Sequence, residues 1–201
     1  MKRKILGCLL FVFAVLLVGC QGEEVKQETP KEVAENFVHT LYDIDYKVWA
    51  PQFEEYLDSL DGYYEKMKLL IAEEKEEEVG LLNQEQFQSI QELYRDLANY
   101  MHPDTFEDSL TKNSFSEPRQ ACFDYQANSR VVSIEYDETF SDEQSVGYFV
   151  TVNYEISLLH EDTKKEVKQN LNVMIKKQED NSWKMTAVTM SAIDPIVFDR
   201  K

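Results

Sequence analysis

Apolar residues recur at helical spacing from Thr29 to Tyr100, and from about Arg119 they alternate with polar ones. Thr29-Pro30-Lys31-Glu32 reads as a helix start, with Thr29 as cap, Pro30 at the first helical position and Glu32 closing a capping box. Val33, Phe37, Leu41, Ile44 and Val48 then mark one helical face. Ala50-Pro51 predicts a break and a restart. Phe53, Tyr56, Leu57, Leu60, Tyr64, Met67 and Ile71 continue the stripe, with a kink expected at Asp61-Gly62. The charged run Glu73–Glu78 is expected to end this helix in solvent, and Val79-Gly80-Leu81-Leu82 to act as a connector. Asn83 with Gln86 resembles a second cap, before a helix through Phe87, Ile90, Leu93, Tyr94, Leu97 and Tyr100. His102-Pro103-Asp104 ends it, and Phe106 to Leu110 reads as one more helical turn.

Four strands follow. Val132, Ile134 and Tyr136 alternate within 129–140. Val146, Tyr148, Val150, Val152, Tyr154, Ile156 and Leu158 form a long alternating run, and Val167 to Ile175 another. Trp183, Met185 and Ala187 open the last strand, with Trp183 expected to pack on the helical layer. Short polar turns separate the strands, so the simplest topology is an antiparallel meander. Helices first and strands after predict an α+β domain, its N-terminal helices packed on one face of a curved antiparallel sheet of about four strands. This order, the segment Tyr42-Asp43-Ile44-Asp45-Tyr46 after the first helix, and the closing Asn181-Ser182-Trp183-Lys184-Met185 resemble the nuclear-transport-factor-2-like and cystatin-like cone folds. The resemblance spans roughly residues 30–194 and implies helices seated in the concave face of the sheet. The helical part, some 80 residues before any clear strand, is longer than in those families.

The N-terminus carries a different pattern. Lys2, Arg3 and Lys4 precede an apolar run from Ile5 to Val18. Its 14 residues are fewer than the ~20 a helix needs to cross a bilayer, and they fit a secretory signal. The run closes on Leu17-Val18-Gly19-Cys20, which resembles the bacterial lipoprotein signal. That resemblance implies a diacylglyceryl group on Cys20 and cleavage before it. The alternatives are an ordinary cleaved signal or an uncleaved anchor, although Gly22-Glu23-Glu24 stops the apolar run abruptly. The expected organisation is a signal over 1–19, a lipidated Cys20 with a polar tether over 20–29, and one α+β domain over 30–201. Two acyl chains anchor stably where one anchors marginally.

Charge and composition narrow the functional classes. The chain of 201 residues has 21 basic and 38 acidic side chains, a net charge of −17. Losing Lys2, Arg3 and Lys4 with the signal leaves 18 basic side chains and a net charge of −20. Such a balance argues against nucleic acid as a partner, since neutralising phosphates needs a basic face. It is also repelled by anionic headgroups, so the domain is expected to stand off the membrane. Three cysteines cannot build a disulfide framework.

Candidate chemistry is sparse. His39, His102 and His160 lack ligand spacing, and Asp43-x-Asp45 is a weak pair in so acidic a chain, so no metal or other cofactor is expected. Cys122, between Ala121 and Phe123, reads as a buried structural thiol rather than a nucleophile. Cone folds can host acid–base sites, and Tyr42, Asp45 and Tyr46 lie where such a mouth would form, which makes them the candidate ligand-facing residues. The sequence therefore predicts a lipid-anchored extracytoplasmic lipoprotein with a protein- or ligand-binding domain, an unidentified envelope protein as partner, and no catalysis. The alternatives are a cone-fold enzyme or carrier of a small apolar ligand, and a subunit of an envelope assembly such as a conjugation machine. A filled concave face would favour the binding module, and a wide mixed cavity under the sheet the enzyme or carrier.

Overall fold

The computed structural model describes residues 27–192 together with Ile196 and Phe198. The signal segment and Cys20 lie outside these residues. Helix α1 (Pro30–Tyr42) begins as its sequence dictates: Thr29 Oγ1 accepts from Glu32 N at 3.2 Å, and Glu32 Oε2 accepts from Thr29 N at 2.7 Å. Its buried residues, Val33, Ala34, Phe37, Val38, Leu41 and Tyr42, form a broad stripe that meets all four strands. The helix ends earlier than its apolar spacing predicts. Asp43 accepts from Val131 N through Oδ1 at 2.6 Å, and Ile44 pairs with Ser129 as an isolated bridge. These contacts with the sheet turn the chain before Val48 can join the same face.

Helix α2 (Tyr46–Ala72) starts at Asp45, whose carboxylate accepts from Lys47 N, and runs through Pro51 and Gly62 without the expected break. Pro51 stands in the second turn, where its missing N–H forgoes one ladder bond. Burial of Trp49 and Phe53 on either side holds the helix there. Helix α3 (Glu76–Leu93) begins inside the acidic run and takes in the expected connector, so Val79-Gly80-Leu81-Leu82 is helical and Asn83 is not a cap. Glu76, Glu77 and Glu78 occupy its first turn, where carboxylates complement the helix dipole. The turn between α2 and α3 is a Schellman closure: Glu74 sits at φ 57°, its N–H donates to Ile71 O, and Lys75 N donates to Leu70 O.

A 3-10 turn (Arg95–Asn99), helix α4 (Pro103–Thr111) and helix α5 (Ser116–Asp124) complete the helical layer. His102-Pro103-Asp104, read as a helix end, instead starts α4 with Pro103 at its first turn. Helix α5 falls where the sequence shows only a change of period. It hides behind Pro118, Arg119, Ala121 and Cys122, which do not form an apolar stripe.

Strands β1 (Ala127–Ser141), β2 (Ser145–Leu158), β3 (Lys164–Lys177) and β4 (Trp183–Met190) form one antiparallel meander in the order β1-β2-β3-β4. Five helices on one such sheet make an α+β domain consistent with a cone-like fold. Alternation on β2 and β3 holds as predicted, with Val146 to Ile156 and Gln169 to Ile175 buried at alternate positions. On β1 and β4 it does not. A bulge at Val132 shifts the register, so Ala127 and Ser129 face inward before it and Ile134 and Tyr136 after it, leaving Val132 exposed. A second bulge, at Thr186, likewise exposes Ala187 after buried Met185. Trp183 packs on the core but is only half-buried.

Candidate binding cleft

The three residues proposed from sequence separate in the fold. Tyr42 is 0% exposed and belongs to the core. Its ring lies 4.8 Å from that of Tyr154, and its hydroxyl donates to Gln169 Oε1 at 2.7 Å. Burial raises its pKa well above the usual tyrosine value. It is therefore not ligand-facing. Tyr46 is half-buried, its backbone N–H donating to Asn128 Oδ1. Asp45 alone of the three opens onto a cleft.

That cleft, about 590 Å³, lies between the α1–α2 connector, the start of α2, the end of α3 and the 3-10 turn. Asp43, Asp45, Trp49, Glu92, Arg95, Asp96 and Arg119 are among its walls. A second groove of about 750 Å³ shares Gln52, Glu92, Leu93 and Arg95 with it and continues between α2 and α3 past Glu55, Ser59, Glu85, Gln88 and Ser89. Together they extend along the helical side, and their charged lining is six carboxylates against two arginines, beside apolar Ile44, Val48, Trp49 and Leu93.

Arg119, 4% exposed, anchors the floor. Its Nη2 donates to Thr40 O at 3.0 Å and to Asp96 Oδ2 at 3.2 Å, and its Nη1 to Leu93 O at 3.4 Å. Thr40 and Leu93 lie in the last turns of α1 and α3, where carbonyls lack helical partners and the dipole is negative. One guanidinium thus caps two helices. Its central carbon lies over both the Trp49 ring, at 4.6 Å, and the Tyr94 ring, at 4.9 Å, two rings whose own centroids are 5.9 Å apart. Burial pushes the Tyr94 hydroxyl up to about 12, while the nearby Arg119 charge opposes the rise. Arg119 Nε and Trp49 Nε1 are buried without a hydrogen-bond partner among the described residues.

The sequence did not single out this Arg, Trp and Tyr group. Its members come from α2, α5 and the junction between α3 and the 3-10 turn, and no local spacing links them. The one trace was an arginine at the point where the helical period fades.

Other groups the sequence raised stay apart. His39 Nδ1 and Asp43 Oδ2 are 2.7 Å apart at the exposed C-terminal end of α1. Cys122 is fully buried, and desolvation raises its thiol to about 12, so it is held as the unreactive thiol. No cluster of three metal-ligating side chains occurs among the described residues, and no helix among them is long and apolar enough to cross a membrane.

No family model and no curated protein matches this chain. Among solved structures, it is similar to an IcmL-like type IV secretion system protein from Legionella pneumophila, with 8% identity and a TM-score of 0.43 over 56% of this chain and 83% of that one. It is also similar to an NTF2-like protein involved in plasmid conjugation, with 13% identity and a TM-score of 0.26 over 50% of this chain and 46% of that one.

Proposed function

We propose that this chain is an extracytoplasmic lipoprotein, anchored through Cys20, whose α+β domain binds an extended segment of an envelope protein and performs no catalysis. The observation that carries this reading is the filled concave face. Tyr42, Tyr154, Val150, Val152, Leu171 and Ile175 are each 0% exposed where a cone-fold enzyme or carrier would keep its pocket. The open space lies instead in the helix-side channel, a shape suited to a strand of polypeptide rather than to an enclosed small molecule. Its carboxylates suit basic side chains, and its neutral Gln and Ser donors suit main-chain carbonyls. The same channel would serve a subunit of an envelope assembly.

The test uses the full-length chain in its membrane. Cys20→Ala is expected to abolish labelling by a palmitate analogue and to leave the chain uncleaved or released from the membrane fraction. Label retained on Cys20→Ala overturns the anchor. A photoreactive residue at Gln52 is expected to crosslink to a protein. An adduct with a small metabolite at Gln52 overturns the binding-module reading in favour of a carrier or enzyme.

A further inference from the structure

The α2–α3 hairpin continues well past the domain it belongs to. Its inner half joins the main core through Trp49, Phe53, Leu93 and Tyr94. Its outer half holds itself together: Leu70 and Leu82 are both 6% exposed, yet neither belongs to that core. The buried side of α2 runs through Phe53, Tyr56, Leu60, Tyr63, Met67 and Leu70, alternating steps of three and four. This is the two-helix seam of a coiled coil. Tyr64 and Ile71, which the apolar stripe predicted to be inside, stand one position off that seam and lie outside it.

The result is a surface with unused apolar area. Of the seven large hydrophobic residues that are strongly exposed among the described residues, four are at the far end of this hairpin: Tyr64 at 56%, Leu69 at 65%, Ile71 at 63% and Leu81 at 61%. Single exposed leucines are ordinary, but concentration on one projecting element marks an interaction surface. The same end, residues 64–81, carries six glutamates against three lysines. Lys68 is held by Glu65 at 2.8 Å, and Lys75 by Glu73 at 2.8 Å with Glu78 at 3.7 Å. Glu74, Glu76 and Glu77 are exposed in the stretch of chain between Ile71 and Leu81.

We infer that the end of the α2–α3 hairpin is a docking surface for a protein that presents an apolar groove rimmed by Lys and Arg. This rests on the binding-module reading and gives its partner a second, distinct point of contact. Charge decides the occupant. An anionic lipid surface repels a glutamate-rimmed hairpin. A second copy of the chain would bring like charges together, which costs several kcal/mol at an interface. A basic partner gains on both counts, since apolar burial supplies affinity and opposite charge steers the encounter.

The experiment places a photoreactive residue at Ile71 or Leu81 in the full-length, membrane-anchored chain, with exposed Thr189 on β4 as control. The expected result is one protein adduct at Ile71 and Leu81 and none at Thr189, its partner identified by mass spectrometry and basic at the crosslinked face. Combined Glu76→Gln, Glu77→Gln and Glu78→Gln is expected to lower the adduct by about tenfold, as is raising the salt so that the Debye length falls to a few Å. Crosslinking from Leu81 with Ile71→Ser in place is expected to fall similarly, and this exposed substitution leaves the melting temperature unchanged. A tip adduct that is a lipid, a second copy or an acidic protein overturns the inference, as does an adduct insensitive to the glutamate changes. No adduct at the tip with Gln52 still crosslinking to protein overturns the docking surface alone. Failure of the binding-module reading shows separately, as a small metabolite at Gln52.

Discussion

Replacing Arg119 by alanine tests the account of the helical layer most directly. The substitution leaves Thr40 O and Leu93 O, at the ends of α1 and α3, without their donor. A buried carbonyl left unsatisfied costs about 1–3 kcal/mol, with the 3.4 Å bond to Leu93 at the low end. Two cation–π contacts, with Trp49 and Tyr94, add ~0.5–2 kcal/mol. The ion pair contributes little, because the Asp96 side chain is 54% exposed and screened by water, so ~0–1 kcal/mol is allowed for it. The sum spans ~2.5–7 kcal/mol, with ~4 kcal/mol as its working value, a large share of the ~5–15 kcal/mol typical of a domain. With a urea slope near ~2 kcal/mol/M, the midpoint should fall by about 2 M. The assay is urea unfolding followed by tryptophan fluorescence, Trp49 being in contact with the substituted side chain. Asp96→Asn should cost under about 1 kcal/mol by the same argument. Arg119→Lys should stay well below wild type, because one ammonium cannot reproduce the planar fork that reaches Thr40, Leu93 and Asp96 together. A loss under about 1 kcal/mol for Arg119→Ala, at unchanged slope, would refute the double-capping role.

Three further outcomes are expected. Tyr94, raised to about 12 against an ordinary value of 10.0, and Cys122, raised to about 12 against 9.0, are both favoured in their neutral forms by the fold. Their contribution is complete below pH 9 and is lost as the pH climbs from there through about 12, because the unfolded chain deprotonates first. Urea midpoints should fall across that window; a midpoint flat from pH 9 to 12 would contradict it. Gly62→Ala and Gly80→Ala, at helical positions where a new Cβ meets nothing within 4 Å, should each raise stability by ~0.5–1 kcal/mol in thermal melts. Tyr42→Phe removes the donor to buried Gln169 and should cost ~1–2 kcal/mol with no change in the circular dichroism of the folded state.

Local chemistry was enough to read α1's capping box, the alternation of β2 and β3, the meander order and the α+β class, because each depends on neighbours in sequence or on one uninterrupted period. The burial of Cys122 was legible for the same reason, from its apolar flanks. What required the tertiary structure were the places where distant parts compete with local pattern. Contacts of Asp43 and Ile44 with β1 end α1 early, and burial of Trp49 and Phe53 carries α2 through Pro51. Bulges at Val132 and Thr186 reverse which side chains face inward, since one extra residue shifts a period of two by half a cycle. The seam between α2 and α3 selects Tyr63 and Leu70 over Tyr64 and Ile71, a choice that needs both helices present. Arg119, Trp49 and Tyr94 are brought together only when the ends of α1 and α3 meet α5, because a buried guanidinium is stable only where several chain segments supply acceptors at once.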